Sequence, residues 1–335
     1  MQKDNTWNIL TIDDNWHNSR LDVFLEVKLE ISRSKAKKLI KNGLVLINER
    51  IVKKAGEKLK KGGVVKVFIP AEEENLELTP LELDIPVLYE DEYLAVIEKP
   101  AGLVVHPASG HRRDTLVNAL IGKFEKLSIY GGMERAGIVH RLDKDTSGVM
   151  VITKDERCHE LLSRMFKEKK VTKVYIAITR GEPQKLLGII DKPIGRHPVD
   201  RKKMTIRGDG REAMTIYKLI KRNPPYNLVL ARILTGRTHQ IRVHFKSINM
   251  PVIGDAAYGK DLSLIKRQAL HSSFIALDHP IKGQKIVIFS PPPIDIVEVM
   301  LKLDLYLKEE ELEREIMKFI EETKNLYTEP SQVSS

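Results

Sequence analysis

The chain has 335 residues, 42% of them hydrophobic, enough to bury a sizeable core and to fill two domains or more. A single cysteine (Cys158) rules out an internal disulfide, no Cys/His cluster has zinc spacing, and no apolar run forms a signal core or reaches membrane-spanning length, so a cytoplasmic protein is expected. The formal charge of +10 conceals its distribution: residues 17–70 carry 14 Lys/Arg against 5 Asp/Glu, residues 71–92 carry 9 acids and no Lys or Arg, residues 93–294 hold 36 basic against 18 acidic residues, and residues 295–335 hold 5 against 11. Two basic blocks of this kind predict a polyanionic partner, nucleic acid first, over a merely solvated lysine-rich surface.

In chain order, residues 1–16 carry a short leading strand, Trp7–Ile12. Arg20–Leu25 then begins an amphipathic helix. Ser32 or Ser34 caps a second helix, which ends at Asn42-Gly43 with the glycine supplying a left-handed stop. Ala36, Leu39 and Ile40 share one face of that helix, while Arg33, Lys37, Lys38 and Lys41 project elsewhere. Short strands follow at Leu44–Asn48 and Ile51-Val52 around a Glu49-Arg50 turn, and Val64–Ile69 closes the unit. Residues 71–86 read as an acidic linker poor in packing residues.

From residue 87 to 294 strands outnumber helices. Strands are expected at Tyr93–Glu98, Val149–Thr153, Val171–Thr179, Ala213–Ile220, Leu228–Leu234, Gln268–Leu277 and Lys285–Phe289. Helices are expected at Thr115–Phe124, Asp155–Lys169 and Thr238–Ser247. The class is α+β with a mixed, mostly antiparallel sheet, next to a small α/β domain. Residues 295–335 give one long acidic helical pattern, Ile296–Thr323, read as a packed or exposed C-terminal helix and not part of a site.

Three segments concentrate polar groups. Residues 140–148, His-Arg-Leu-Asp-Lys-Asp-Thr-Ser-Gly, open directly onto the apolar run from Val149 to Ile152, which frames Asp143 between Arg141 and Lys144. Nearby cations favour a carboxylate's charged form, which suits a nucleophile or base; the same residue types also suit a surface turn. On Val171–Ala177, Lys173 and Tyr175 share a face. Thr235–His244 turns at Gly236 into a helix with His239, Arg242 and Lys246 on one side. Arg237 and Arg242 fit either phosphate contacts or partners of a buried acid, and the spacing of His239 and His244 is poor for a metal.

The run Arg20-Leu21-Asp22, Ser32-Arg33-Ser34, Leu39-Ile40, Gly43, Val45, Asn48, Lys53-Lys54 and Val65-Lys66-Val67 resembles the small RNA-binding domain of ribosomal protein S-four type, over nearly all of residues 17–70. The larger region resembles the RluA family of pseudouridine synthases, closest to its RluD-like branch. The resemblance is carried by Lys99–Gly102 with Val105–Pro107, by His140–Gly148, by Lys173–Ala177, by Thr235–His244, by Pro251–Asp255 with Tyr258-Gly259, and by Leu270-His271 with His279-Pro280. These motifs follow the family's order across residues 87–290.

That resemblance implies isomerisation of uridine within structured RNA, large-subunit ribosomal RNA by branch, with no cofactor and no metal. It implies that Asp143 is the essential carboxylate, Arg242 its partner and Tyr175 the residue packing on the target base. Arg141 would fill the gap left by a flipped nucleotide, with Lys173, Arg237 and His239 as further substrate contacts. Arg33, Lys37, Lys38 and Lys41 are the expected RNA contacts of the small domain, and the protein is expected to be a monomer. Two other readings compete. One is a noncatalytic RNA-binding assembly factor. The other is a metal-dependent nuclease using Asp143, Asp145 and Asp255, which would fail on chelation.

Overall fold

The first strand pairs edge to edge with Val64–Ile69, whose alternating Val65 and Val67 are buried, and this pairing helps organise the smaller of two units. The protein is described by a computed structural model covering residues 6–31, 33–69, 78–107, 111, 113–259 and 262–327. It separates into Met1–Glu77 and Leu78–Ser335.

The smaller unit runs β1 (Thr6–Thr11), α1 (Leu21–Lys28), α2 (Arg33–Lys41), β2 (Val45–Ile47), β3 (Arg50–Ile51) and β4 (Val64–Ile69). Its sheet is antiparallel with strand order β1-β4-β2-β3. Leu21, Phe24 and Leu25 of α1 and Ala36, Leu39 and Ile40 of α2 bury against Val45, Val65 and Val67. The leading strand expected to stand ahead of this unit therefore belongs to its sheet. The hairpin turns one residue earlier than Glu49-Arg50: Asn48 and Glu49 both take positive φ, 47° and 64°, which a two-residue hairpin demands. Asn48 tolerates that backbone, and its Oδ1 accepts the Val64 amide at 2.8 Å. The cap expected at Ser32 lies outside the described residues.

Asp22 is enclosed, its carboxylate taking Arg20 Nε at 2.9 Å and Arg33 Nε at 3.2 Å, with Lys37 Nζ at 3.9 Å. The Arg20 hydrogen bond outweighs burial and, with Arg33, holds the carboxyl down to about 2. A carboxylate lowered in the folded state contributes stability above its unfolded value and loses it as pH falls through the folded one. We expect about 1–2 kcal/mol of this unit's stability to vanish between about pH 4 and pH 2, discounted for the half-exposed arginines. Denaturant midpoints measured against pH check this, and Asp22→Asn should flatten the dependence over that window.

The larger unit runs β5 (Val87–Glu90), β6 (Leu94–Lys99), α3 (Leu116–Lys123), β7 (Ser147–Thr153), α4 (Glu156–Lys167), β8 (Thr172–Arg180), β9 (Leu187–Asp191), β10 (Ile194–Arg196) and β11 (Met204–Ile206). It continues through β12 (Met214–Asn223), β13 (Tyr226–Ile233), α5 (Gln240–Ser247), β14 (Leu270–Asp278), β15 (Lys285–Phe289), α6 (Ile294–Lys302) and α7 (Glu309–Glu322). The large sheet has the order β5-β6-β7-β14-β8-β13-β12-β9, with β15 beside β14. The β7–β14 pair is parallel and the other pairs are antiparallel, so the sheet is mixed and mostly antiparallel, as the pattern predicts.

Two expectations of extended structure change. Residues 78–86, expected as linker, are packed: Ile85 joins the main core, Leu78 buries beside Val117 and Ala136, and Asn118 Nδ2 donates to the Thr79 carbonyl at 3.0 Å. Residues 70–77 lie outside the described residues. The single helix expected over Ile296–Thr323 is two, α6 and α7, broken where Asp304 takes φ 51°. Side chains of the β12 strand bond carbonyls at the break, Asn223 Nδ2 to Leu303 and Lys221 Nζ to Tyr306. Both helices pack their apolar faces on the main core through Ile296, Val299, Leu312, Ile316 and Phe319. Each helix covers the core with one face and leaves the other exposed.

Candidate active site

A row across three strands builds the site. Ser272 of β14 pairs with Gly148 at the start of β7 and with Tyr175 of β8. Gly148 takes φ 116°, and a Cβ there would stand 2.3 Å from the Ser272 carbonyl oxygen, so only glycine lets these backbones approach. The strands thus bring the loop ending at Gly148, which carries Asp143, beside Tyr175.

That loop is held from both sides. Lys99 at the end of β6 is fully buried, and its Nζ donates to the carbonyls of Pro100 (2.6 Å), Leu103 (2.9 Å) and Lys144 (3.0 Å). Burial pulls its pKa down to about 7. Three carbonyls at these distances match the three N–H donors of an ammonium, and a neutral amine offers only two, so the geometry favours the charged form. On the other side Arg267 Nη1 donates to the Asp145 carbonyl (3.2 Å) while its fork grips Asp295 of α6. The carbonyls of the two residues that follow Asp143 are therefore both tied down.

Arg242 comes from the first turn of α5, where a helix dipole disfavours a cation. Its guanidinium compensates with three bonds to carboxylates: Nη1 to Asp143 Oδ2 (2.8 Å), Nε to Asp255 Oδ2 (2.7 Å) and Nη2 to Asp255 Oδ1 (2.9 Å). Burial opposes its charge, but the Asp255 and Asp143 partners more than offset this and raise its pKa further. The turn before α5 is locked by Gln240, whose buried amide accepts from Thr235 Oγ1 and the Arg237 amide and donates to the Met214 carbonyl and Thr215 Oγ1.

An open cavity with about 490 Å³ of empty space is lined by Arg141, Asp143, Tyr175, Arg237, His239 and Arg242, among others. Burial raises the Tyr175 hydroxyl's pKa, with Ser272 working against the shift, so the phenol stays neutral. Arg141 is exposed and approaches His106 Nε2 at 3.4 Å. Arg237 Nε donates to the Glu212 carbonyl at 2.8 Å.

Two placements differ from the sequence reading. His239 is not on the helix face of Arg242; it is the residue before α5, in left-handed conformation at φ 57°, with Nδ1 2.8 Å from the Tyr258 hydroxyl. Burial lowers its pKa. Lys173 does not line the cavity of Asp143. Strand β8 is central and covered on both faces, so Lys173 is buried with its Nζ 5.1 Å over the Phe166 ring. It lines a larger adjoining groove of about 1760 Å³, which shares Arg141, Tyr175 and Arg237 with the first cavity. Burial draws its pKa down to about 8.

The acids of the competing nuclease reading are apart in role. Asp145 does not line the cavity, and Asp255 is wholly buried on Arg242. Among the described residues no three or more His, Cys, Asp or Glu side chains gather to hold a metal ion. His244 is occupied structurally, between Thr215 Oγ1 and the Lys192 carbonyl. Burial pushes the Cys158 thiol up to about 12, leaving it inert. No helix among the described residues is long and apolar enough to cross a membrane.

Lys99, Gln240 and Arg267 are the residues that sequence reasoning did not assign to the site, and Asp255 entered it only as a metal ligand of the nuclease reading. A lysine ending the apolar strand from Leu94 was a signal, since an ammonium there needs buried acceptors.

An acid and a guanidinium meeting in an open, cation-rimmed cavity on a mixed sheet define an enzyme for a polyanionic substrate. The sequence profile described as RNA pseudouridylate synthase matches residues 93–247, and the S4 domain profile matches residues 19–65. An uncharacterized RNA pseudouridine synthase of Aquifex aeolicus is 46% identical over 280 residues, covering 80% of this chain and 88% of that protein. The ribosomal large subunit pseudouridine synthase D of Xanthomonas campestris pv. campestris is 38% identical over 307 residues, covering 87% and 91%. Among solved structures, human RNA pseudouridylate synthase domain containing 4 aligns with a TM-score of 0.52 at 25% identity, covering 67% of this chain and 95% of that one. The chain belongs to the RNA pseudouridine synthases, isomerases acting on RNA.

Proposed function

We propose that this enzyme isomerises uridines of large-subunit ribosomal RNA through Asp143, acting as a cytoplasmic monomer. The observation that carries the site assignment is the 2.8 Å contact of Arg242 Nη1 with Asp143 Oδ2 in the cavity that Tyr175 also lines. Relatives bearing the name ribosomal large subunit pseudouridine synthase D support the substrate.

The reaction breaks N1–C1′, turns the base, and joins C5 to C1′, with the C5 proton leaving the base and N1 taking up a proton in its place. No redox change or group transfer to a second molecule occurs, so the chain's own residues can supply all of it. Attack by Asp143 at the nucleoside and removal of a sugar proton are the two routes, and each requires the ionised carboxylate. A uridine in folded RNA must leave its stack first, at a cost of about a few kcal/mol, and an aromatic platform returns roughly 1–3 kcal/mol. Tyr175 is that platform; as a neutral phenol it offers its ring and a hydroxyl to the base and does not act as an anionic base. Exposed Arg141 reaches into the gap that the uridine vacates, and Arg237 and His239 contact the flipped nucleotide. Lys173 faces the neighbouring strand from the adjoining groove.

On the smaller unit, Arg33, Lys37, Lys38 and Lys41 are exposed on α2 and contact the RNA backbone. Replacing all four with alanine should weaken binding and flatten the salt dependence of log affinity by about 0.7–0.9 for each phosphate no longer neutralised. Filter binding over a salt series checks this; an unchanged slope removes α2 from the interface. The test of the whole reading is pseudouridine mapping of total RNA from cells with and without the gene. Loss of positions in large-subunit ribosomal RNA supports it, and loss confined to transfer RNA overturns the substrate.

A further inference from the structure

Asp255 does not itself line the cavity, yet both of its carboxylate oxygens are held. It is fully buried and accepts four hydrogen bonds: Arg242 Nε on Oδ2, and Arg242 Nη2 with the amides of Ala257 (2.9 Å) and Tyr258 (3.1 Å) on Oδ1. The loop that presents it cannot shift. Gly254 takes φ 71°, and a Cβ there would stand 2.0 Å from the Arg267 carbonyl oxygen. The Tyr258 ring lies 5.1 Å from the Arg242 guanidinium carbon, closing one face of the guanidinium plane.

An arginine side chain has several soft torsions, so a single contact with Asp143 would not fix it. The two-point grip of Asp255 and the Tyr258 ring remove that freedom and leave one N–H, on Nη1, aimed at Asp143 Oδ2. Asp143 Oδ1 takes no bond from any described side chain or amide. We infer that Asp255 is a positioning residue for the isomerisation: it locks Arg242 so that Asp143 is held by Oδ2 and presents Oδ1 to the nucleoside. This rests on the assignment of Asp143 given above. The geometry explains why an acid buried away from the substrate belongs to the reaction.

The test uses the full-length protein and an unmodified large-subunit ribosomal RNA transcript tritiated at uridine C5, whose release reports C5–C1′ bond formation. Asp255→Asn keeps an oxygen for the two amides but sets an NH2 against Arg242 Nε, so the grip breaks while the loop stays capped. The single-turnover rate at saturating RNA should fall about 10- to 100-fold, with RNA affinity within about twofold, as displacement of a reacting group demands. Asp255→Glu restores the charge at the wrong reach and should lie between Asn and wild type. In an Arg242→Lys background, where no fork remains to grip, adding Asp255→Asn should cost less than about threefold. Full activity of the Asn variant, lost RNA affinity at an unchanged rate, or additive losses in the double variant would each overturn the inference. If the Asn variant does not fold, the Glu variant decides: a slower rate at unchanged affinity supports it and a wild-type rate overturns it. Asp143→Asn serves as the control. Retained activity there sinks the underlying assignment, whereas an inactive Asp143→Asn beside a fully active Asp255→Asn sinks only this one.

Discussion

Asp143→Asn should lower the single-turnover rate of pseudouridine formation by about 10⁴-fold or more while leaving RNA affinity within about twofold. The substitution preserves the shape of the side chain and an oxygen for Arg242 Nη1, and Arg242 remains paired with Asp255, so neither fold nor cavity is disturbed. What disappears is the negative charge, which both attack and proton removal require. The cavity and the adjoining groove are rimmed by Arg141, Arg237, Lys167 and Arg211, none of which the change touches. Asp145→Asn is the matched comparison, because that residue does not line the cavity; it should keep most of its rate. Tritium release and filter binding measured side by side decide it. A near-normal rate for Asp143→Asn, or an inactive Asp145→Asn beside it, would mean that the wrong acid has been chosen.

The site was legible where chemistry interrupts a local pattern, and illegible where distant segments set it. Asp143, Arg242 and Tyr175 are singled out by the motifs that resemble a known family, since the residues around Asp143 equally suit a surface turn. Lys173 shares that signal, and its i, i+2 relation to Tyr175 is real. Its burial under Phe166, however, depends on β8 lying in the middle of the sheet, and no two-residue period reports that. His239 reads as helix by spacing, but the left-handed backbone before α5 is imposed by the Gln240 bonds to Met214 and Thr215, 25 residues or more away. The roles of Lys99 and Asp255 hinge on Lys144 and Arg242, partners that only the folded chain brings to them. Of the fold, the longer strands are read correctly, whereas the short strands β5, β9, β10 and β11 are missed. Residues 78–86 look like linker because isolated Leu78 and Ile85 show no period, although each is buried.

Arg242→Ala should cut turnover by about 10²-fold or more and also destabilise the larger unit by about 3–5 kcal/mol, because Asp255 would remain buried with its charge unpaired. These two losses have different causes and can be separated. Arg242→Met with Asp255→Asn removes the cation and the stranded anion together, and the Asn oxygen still accepts the Ala257 and Tyr258 amides. A buried ion pair replaced as a unit by groups of similar volume is often close to neutral for stability. The double variant should therefore recover most of the melting temperature lost by Arg242→Ala while its turnover stays low. Calorimetric melting and tritium release on the same preparations give both quantities. If turnover returned along with stability, Arg242 would be a core residue that happens to lie beside Asp143. If stability returned alone, its guanidinium would be required by the reaction, consistent with an Nη1 donor that holds one carboxylate oxygen and leaves the other for the substrate.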